Sequence, residues 1–209
     1  MSGPRISFIV SAFNRPGRLR TCLAAIADQT YPEWEAIVVD NSDNAIHRWG
    51  HFSIAFTLNR RRIRHVDTSK RVPNPSLLSP TVKHTRCLYT AAEIGAGMAS
   101  GEWLAFPNDD TAYPPLFAER MIWFAEHNNF DLVYCNFILG GAEMDYRFVE
   151  ANPWNCSCDK TAFIMKKSWF EGFPHKEDKY DIADGLLLES LVARGIRHGR
   201  LAQCLIVHN

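Results

Sequence analysis

The sequence predicts an α/β fold whose first half carries a mostly parallel sheet and whose second half is mixed. Three observations lead there. A strand, a helix and a second strand follow one another within about 40 residues, which is a βαβ unit and calls for a parallel pair with a right-handed crossover. The first predicted strands are mostly apolar, as strands covered on both faces are. After Gly140-Gly141 the texture changes to short, loosely alternating segments.

Each element has a local reason. "RISFIVSAF" is a buried strand, with β-branched Ile6, Ile9 and Val10 and no turn residue. Asn14 is placed to cap the next helix and Pro16 to open it. Leu19, Cys22, Leu23 and Ile26 then recur at helical spacing through "PGRLRTCLAAIADQ", until "TYP" breaks the pattern. "EWEAIVVD" is the second buried strand and "NSDN" its turn. "IAFTL" and "RIRHV" are expected as short strands around Arg60-Arg61-Arg62. The stretch from Asp67 to Pro80 has three prolines and no period, so it is expected as a loop.

"TRCLYTAAEIGAGMAS" is a helix of small residues, "EWLAF" a strand, "PPLFAERMIWFAEHN" a proline-opened helix and "DLVYCNF" a strand. "DYRFVE" and "TAFIM" alternate. "IADGLLLESLVARG" is expected as an amphipathic helix stopped by Gly195, and "QCLIVHN" as a last strand. One domain over 1–209 accommodates this, with a ligand-binding half to about 112 and a second half from about 113.

Composition narrows the class. The 209 residues are 46% hydrophobic and 22% charged, enough for a real core. Lys plus Arg equals Asp plus Glu at 23 each, so no net charge draws the chain to nucleic acid. No run approaches the roughly 20 apolar residues of a membrane span. The N-terminal apolar stretch reaches Asn14 and Arg15 too early for a signal peptide, so a cytoplasmic protein is expected, with peripheral membrane contact left open. The six cysteines are expected as free, mostly buried thiols. Cys156 and Cys158 form a lone C-x-C without a second pair at zinc spacing.

Ligands of open α/β sheets bind beyond the carboxyl ends of the strands. Polar clusters stand at three such ends: Ser11 to Asn14, Asp40 to Asn44, and Asn108 to Asp110. The adjacent carboxylates Asp109 and Asp110 repel unless neutralised, and hard oxygen ligands suit Mg2+ or Mn2+ bridging to phosphate. The competing explanation is an Asx turn with the second Asp capping the next helix. Arg86 and the cluster Arg60 to Arg64 could neutralise phosphates, and Trp154 and Phe173 could stack on a sugar, though surface and core roles are the commoner fates.

Three blocks in order, "SAFNR", "QTYPEWEAIVVDNS" and "A-x-GEW-x-x-F-x-x-DD", resemble the family-2 glycosyltransferases of the inverting, GT-A type. The similarity is strong to about Asp110 and looser beyond. It implies a single GT-A domain with a Rossmann-like nucleotide-binding half. It also implies a nucleotide-diphosphate sugar donor (UDP ahead of GDP or dTDP), a saccharide or other hydroxyl acceptor, and Mn2+ or Mg2+ as cofactor. Asp40 would receive the donor's base, and Ser11, Ala12 and Phe13 would line base and ribose. Asn108-Asp109-Asp110 would be the DxD motif, with Asp110 on the metal and Asp109 near the ribose or the metal's waters. Asn108 departs from that motif's acidic first position. Arg86 would join the donor site.

The family's general base is the Asp of an "ED" pair lying eleven residues before a glycine. Asp184 has that spacing to Gly195, with Ala183 in the Glu position. Asp181 and Asp178 are rivals, and a plain helix cap is the alternative reading of Asp184. His208 matches the family's metal or diphosphate histidine, or else faces solvent. Two other classes stay open: a nucleotidyltransferase, for which "SAFNRPGR" is poor in glycine, and a GT-A-like domain that binds nucleotide without turnover.

Overall fold

The computed structural model describes residues 5–59, 61–70, 80–140, 146–174 and 183–208, with only the backbone course of 80–88 and 207–208. The β-branched runs build the centre of the sheet. Strands β1 (Ile6–Ala12) and β2 (Trp34–Asp40) are buried at every position. They pair in parallel with each other, while β1 also pairs with β4 (Trp103–Ala105) and β2 with β3 (Ile63–Asp67), again in parallel.

The second half turns mixed at one strand. β7 (Phe163–Lys166) lies antiparallel between β4 and β5 (Leu132–Leu139). Two reversals make β5 run with β4. β6 (Arg147–Val149) pairs antiparallel with β5, and β8 (His198–His208) pairs parallel with it, with register shifts around Asn136. The order is β3-β2-β1-β4-β7-β5-β6, with β8 on the other side of β5. The carboxyl ends of β1, β2, β3, β4, β5 and β8 therefore share one edge.

Helices α1 (Pro16–Ala27), α2 (Ala45–Asn59), α3 (Pro80–Met98), α4 (Phe117–Asn128) and α5 (Ala183–Ala193) complete the described fold. α1 buries Leu19, Cys22, Leu23 and Ile26, the stripe its spacing predicts. Helix α3 approaches the sheet so closely that a Cβ on Gly95 would collide with Ile9 and come within 2.9 Å of Val39 Cγ2. Both partners are fully buried and β-branched, so neither can turn away. Gly95→Ala is expected to destabilise by about 1–3 kcal/mol, overpacking outweighing the helix propensity gained. A lowered urea midpoint checks this.

Several expectations change. "IAFTL" lies in α2, not in a strand. Asn44 starts that helix, its Oδ1 accepting from Ile46 N at 2.8 Å and its carbonyl from Arg48 N. His51, Ile54 and Ala55 face the core, and other apolar residues face out, which hid the helical period. Asn14 does not cap α1. It sits in the left-handed region at φ 53°, and its amide donates to Asp43. Helix α4 begins after the prolines, capped from outside by Gln29 Oε1, which accepts from Ala118 N at 2.9 Å. Helix α5 is buried on most of its circumference rather than amphipathic. The last strand starts earlier than expected, at His198. Among the five cysteines described, all free, Cys156 and Cys204 are exposed and the other three buried. The loop expected from Asp67 to Pro80 falls largely outside the described residues.

Candidate active site

The loops leaving β1, β2 and β4 are knitted into one edge. Asn41 N donates to Ala12 O at 3.0 Å, and Asn14 N to Ser42 Oγ at 2.9 Å. Phe13 N donates to Asp109 Oδ2 at 3.2 Å, and Ser11 bridges Asn108 in parallel register. Along this edge the buried side-chain oxygens of Asn14, Asn41 and Asn108 meet no protein donor. A buried acceptor without a donor is costly, and a ligand carrying N–H and O–H groups relieves it.

Asp109 and Asp110 stand where the sequence places them. Their charge is met within the fold by two arginines from the start of α1. Arg15 reaches Asp109 Oδ1 at 2.8 Å and Asp110 Oδ2 at 3.0 Å, and Arg18 reaches Asp110 Oδ2 at 2.9 Å. The Arg15–Asp109 contact is an ion pair not aligned as a hydrogen bond, so Asp109 Oδ1 keeps an open lone pair. Burial pushes Asp109 up to about 6, against Arg15 and the Phe13 N–H, which pull it down. Asn108 and Thr111 close the turn, Thr111 N donating to Asn108 O and Asn108 N to Thr111 Oγ1. Asp110 caps no helix, because α4 starts well beyond it at Phe117.

The pair suits a hard divalent ion in one respect that matters. Among the described residues no three His, Cys, Asp or Glu side chains converge to hold a metal. Two adjacent carboxylates, one with an open buried oxygen, match the way Mg2+ is held by one or two carboxylates plus substrate phosphates and water.

Asp40 ends β2 as expected, but its carboxylate is completely buried and both oxygens are taken. His51 Nδ1 lies 3.1 Å and Ser42 N 2.9 Å from Oδ1, and His65 Nε2 lies 2.9 Å from Oδ2. Burial alone would raise its pKa. The hydrogen bonds from His51, His65 and Ser42 outweigh it and hold Asp40 well below the usual carboxylate range.

Asp184 lies in the first turn of α5, where its Oδ2 accepts from Lys160 N at 2.9 Å and its Oδ1 from Gly185 N at 2.8 Å. Burial first, then the charge of Asp159, pushes it up to about 6. The buried Tyr89 phenol is raised by burial and then by Asp184 and Asp159. Lys160, whose backbone N–H bonds Asp184, is buried, and its Nζ donates to Phe106 O at 3.2 Å, three residues before Asp109. Burial lowers its pKa, while Asp159, Asp184, Asp110 and Asp109 all act to raise it. One lysine thus feels both carboxylate groups.

The model of the family described as "Glycosyl transferase family 2" matches residues 7–47 and 82–191. This chain belongs to glycosyl transferase family 2. Among curated relatives, a PGL/p-HBAD biosynthesis glycosyltransferase of Mycobacterium bovis is 32% identical over 153 residues, 68% of this chain and 53% of the relative. The chain thus spans about half the length of that relative. Among solved structures, residues 1–349 of S. aureus TarS superpose with a TM-score of 0.72 at 15% identity, covering 98% of this chain and 60% of that one. TarS is also solved with UDP and with UDP-GlcNAc. The mannosyltransferase PcManGT of Pyrobaculum calidifontis, in complex with GDP-Man and Mn2+, gives 0.71 at 17% identity, over 100% of this chain and 57% of that one. The fold is the mixed α/β sheet of the GT-A glycosyltransferases.

Within this family-2 chain the structure brings together Ser11, Ala12, Phe13, Asp40, Asn108, Asp109 and Asp110 at one edge. Asp184 joins them through Lys160. His208 ends β8 on that edge, its backbone paired with Leu139. Arg86 lies in α3, and the side chains of Arg86 and His208, with Asp178 and Asp181 entirely, lie outside what is described. Phe173 is buried among Tyr89, Phe106 and Phe170, which assigns it to the core, whereas Trp154 is exposed.

Sequence reasoning missed Lys160, His51, His65, and Arg15 and Arg18 as partners of the Asp pair. Lys160 carried a signal, a lysine set directly before the apolar run "TAFIM". A cavity of about 330 Å³ lined by Glu93, Lys167 and Phe170 opens near the C-terminal end of α3, at the opposite edge of the sheet.

Proposed function

We propose that this chain transfers a sugar from a nucleoside-diphosphate donor to a hydroxyl acceptor, with inversion and with a divalent metal ion. The observation that carries this reading is the run of buried, unsatisfied side-chain oxygens of Asn14, Asn41, Asn108 and Asp109 along the carboxyl edge of the sheet, beside the Asp109–Asp110 pair. The donor would lie along the edge formed by Ser11 to Asn14 and Asn41, its base and ribose supplying N–H and O–H groups to the unsatisfied oxygens of Asn14, Asn41 and Asn108. Asp40 fixes the base end of this cleft by holding His65 and His51. The nucleotide-sugar complexes of TarS and PcManGT support a donor of this class.

Asp184 takes the proton of the acceptor hydroxyl. The acceptor oxygen bonds to the anomeric carbon as the bond to the diphosphate breaks on the opposite face, and the diphosphate departs with the electron pair. Asp110, with Asp109, would hold Mn2+ or Mg2+, which when bound offsets the charge of the leaving diphosphate. Arg15 and Arg18 are exposed enough to release the pair to the ion and turn to the phosphates themselves.

Calorimetry with UDP and GDP, with and without Mn2+, tests the donor site. Binding is expected to require Mn2+, and Asp110→Ala to weaken it about tenfold or more. Metal-independent binding, or an Asp110→Ala variant that binds like the parent, removes the metal from the reading. Tight binding with intact donor after long incubation over a broad acceptor panel makes the chain a non-catalytic binder.

A further inference from the structure

Helix α2 is apolar on two opposite faces. His51, Ile54 and Ala55 pack inward, while Ile46, Trp49, Phe52 and Phe56 stand 76%, 65%, 44% and 52% exposed. Steps of three or four residues put these four side chains on one stripe. Trp49 stacks on Phe52 at 5.8 Å and Phe52 on Phe56 at 6.0 Å, so the stripe is a continuous aromatic surface. Exposed apolar residues scattered singly are ordinary, whereas a contiguous patch marks an interaction site.

The helix and the turn after it are basic in sequence, between Asp43 before the helix and Asp67 at the end of β3. From Ala45 to Val66 the sequence holds five arginines and three histidines and no Asp or Glu, in a chain whose total charge balances. Arg48 and Arg64 are engaged by Asp67 and Glu35. Arg61 and Arg62 stand exposed in the turn directly after the helix, where Arg62 lies 5.2 Å from the Trp34 ring centroid.

We infer that α2 is an interfacial helix that docks the protein on an anionic lipid surface. A Trp- and Phe-bearing face with exposed arginines at its end suits a helix that lies in the headgroup region. Anionic headgroups complement the exposed arginines. A second copy of the chain would instead bring to this face another segment with no acidic residue. The inference is independent of the transfer chemistry.

Flotation with phosphatidylcholine vesicles, with and without phosphatidylglycerol, tests it on the whole chain. The parent is expected to float with the phosphatidylglycerol vesicles and to be released by salt. Ile46→Ser with Trp49→Ser is expected to lower the partition coefficient about tenfold or more. Arg61→Glu with Arg62→Glu is expected to do the same on anionic vesicles only. Circular dichroism and thermal melts matching the parent show that the variants fold. A single Trp49→Phe variant adds a check on an intact fold, since quenching of tryptophan emission by brominated lipid should fall. A parent that stays in the aqueous fraction overturns the proposal, as do folded variants that float like the parent. So does a dimer in sedimentation equilibrium that Trp49→Ser dissociates while no vesicle binding is seen, which assigns the face to a second copy.

Discussion

Asp184→Asn is expected to lower the transfer rate about a thousandfold, the loss typical of a general base, while nucleotide binding stays near that of the parent. The two backbone donors at Lys160 and Gly185 fix the carboxylate, and burial with Asp159 pushes it up to about 6. A carboxyl so raised is ionised at neutral pH, yet is a far better proton acceptor than an exposed aspartate. The rate of the parent should therefore rise with pH through about 6 and level above it. In Asp184→Asn the contribution of the base to that limb should vanish, leaving that of Asp109, also pushed up to about 6, through donor binding. Initial rates across pH, with calorimetry of the nucleotide, measure both. A variant that keeps its rate shifts the base to Asp178 or Asp181, the rivals with a carboxylate to offer.

Asp40→Asn is expected to cost about 1–3 kcal/mol of folding stability, the penalty when buried donors lose their acceptor. The carboxylate is 0% exposed and bonded to His51, His65 and Ser42, so the amide cannot satisfy all three donors. The sign with pH follows from the depressed pKa. Asp40 contributes its stability above the ordinary carboxylate range, and the contribution is lost as pH falls through that range and below it. Denaturant unfolding of parent and variant at neutral and acidic pH should show a gap that narrows with acid. Equal midpoints at neutral pH would mean that the histidines find other partners at no cost.

The parts of the fold that follow from local pattern were legible in the sequence. Apolar runs rich in β-branched residues produced β1 and β2, and the period of Leu19, Cys22, Leu23 and Ile26 produced α1. The carboxylates of the site were also legible, since Asp109 and Asp110 end an apolar run and Asp184 keeps its distance to Gly195. Long-range pairing was not. Nothing near Asp109 announces Arg15, almost a hundred residues earlier, and nothing near Phe117 announces Gln29 as its cap. Helix α2 escaped because a helix that is apolar inside and outside has no clean stripe. Lys160 escaped because a lysine is usually solvated, and only the reversed strand behind it makes it an interior cation.

That reversed strand has a consequence for how the site can diverge. β7 enters the sheet from the edge where its parallel neighbours leave it, so the residues just ahead of it arrive beside the end of β4 without a crossover helix. Exposed residues of the segment, such as Glu150 and Trp154, can change while Ala151, Cys158 and Lys160 stay buried and the pairing of Ile164 with Ala105 stays in register. Strands that exit and one that enters meet at the same edge, and the loops they carry can evolve on separate schedules.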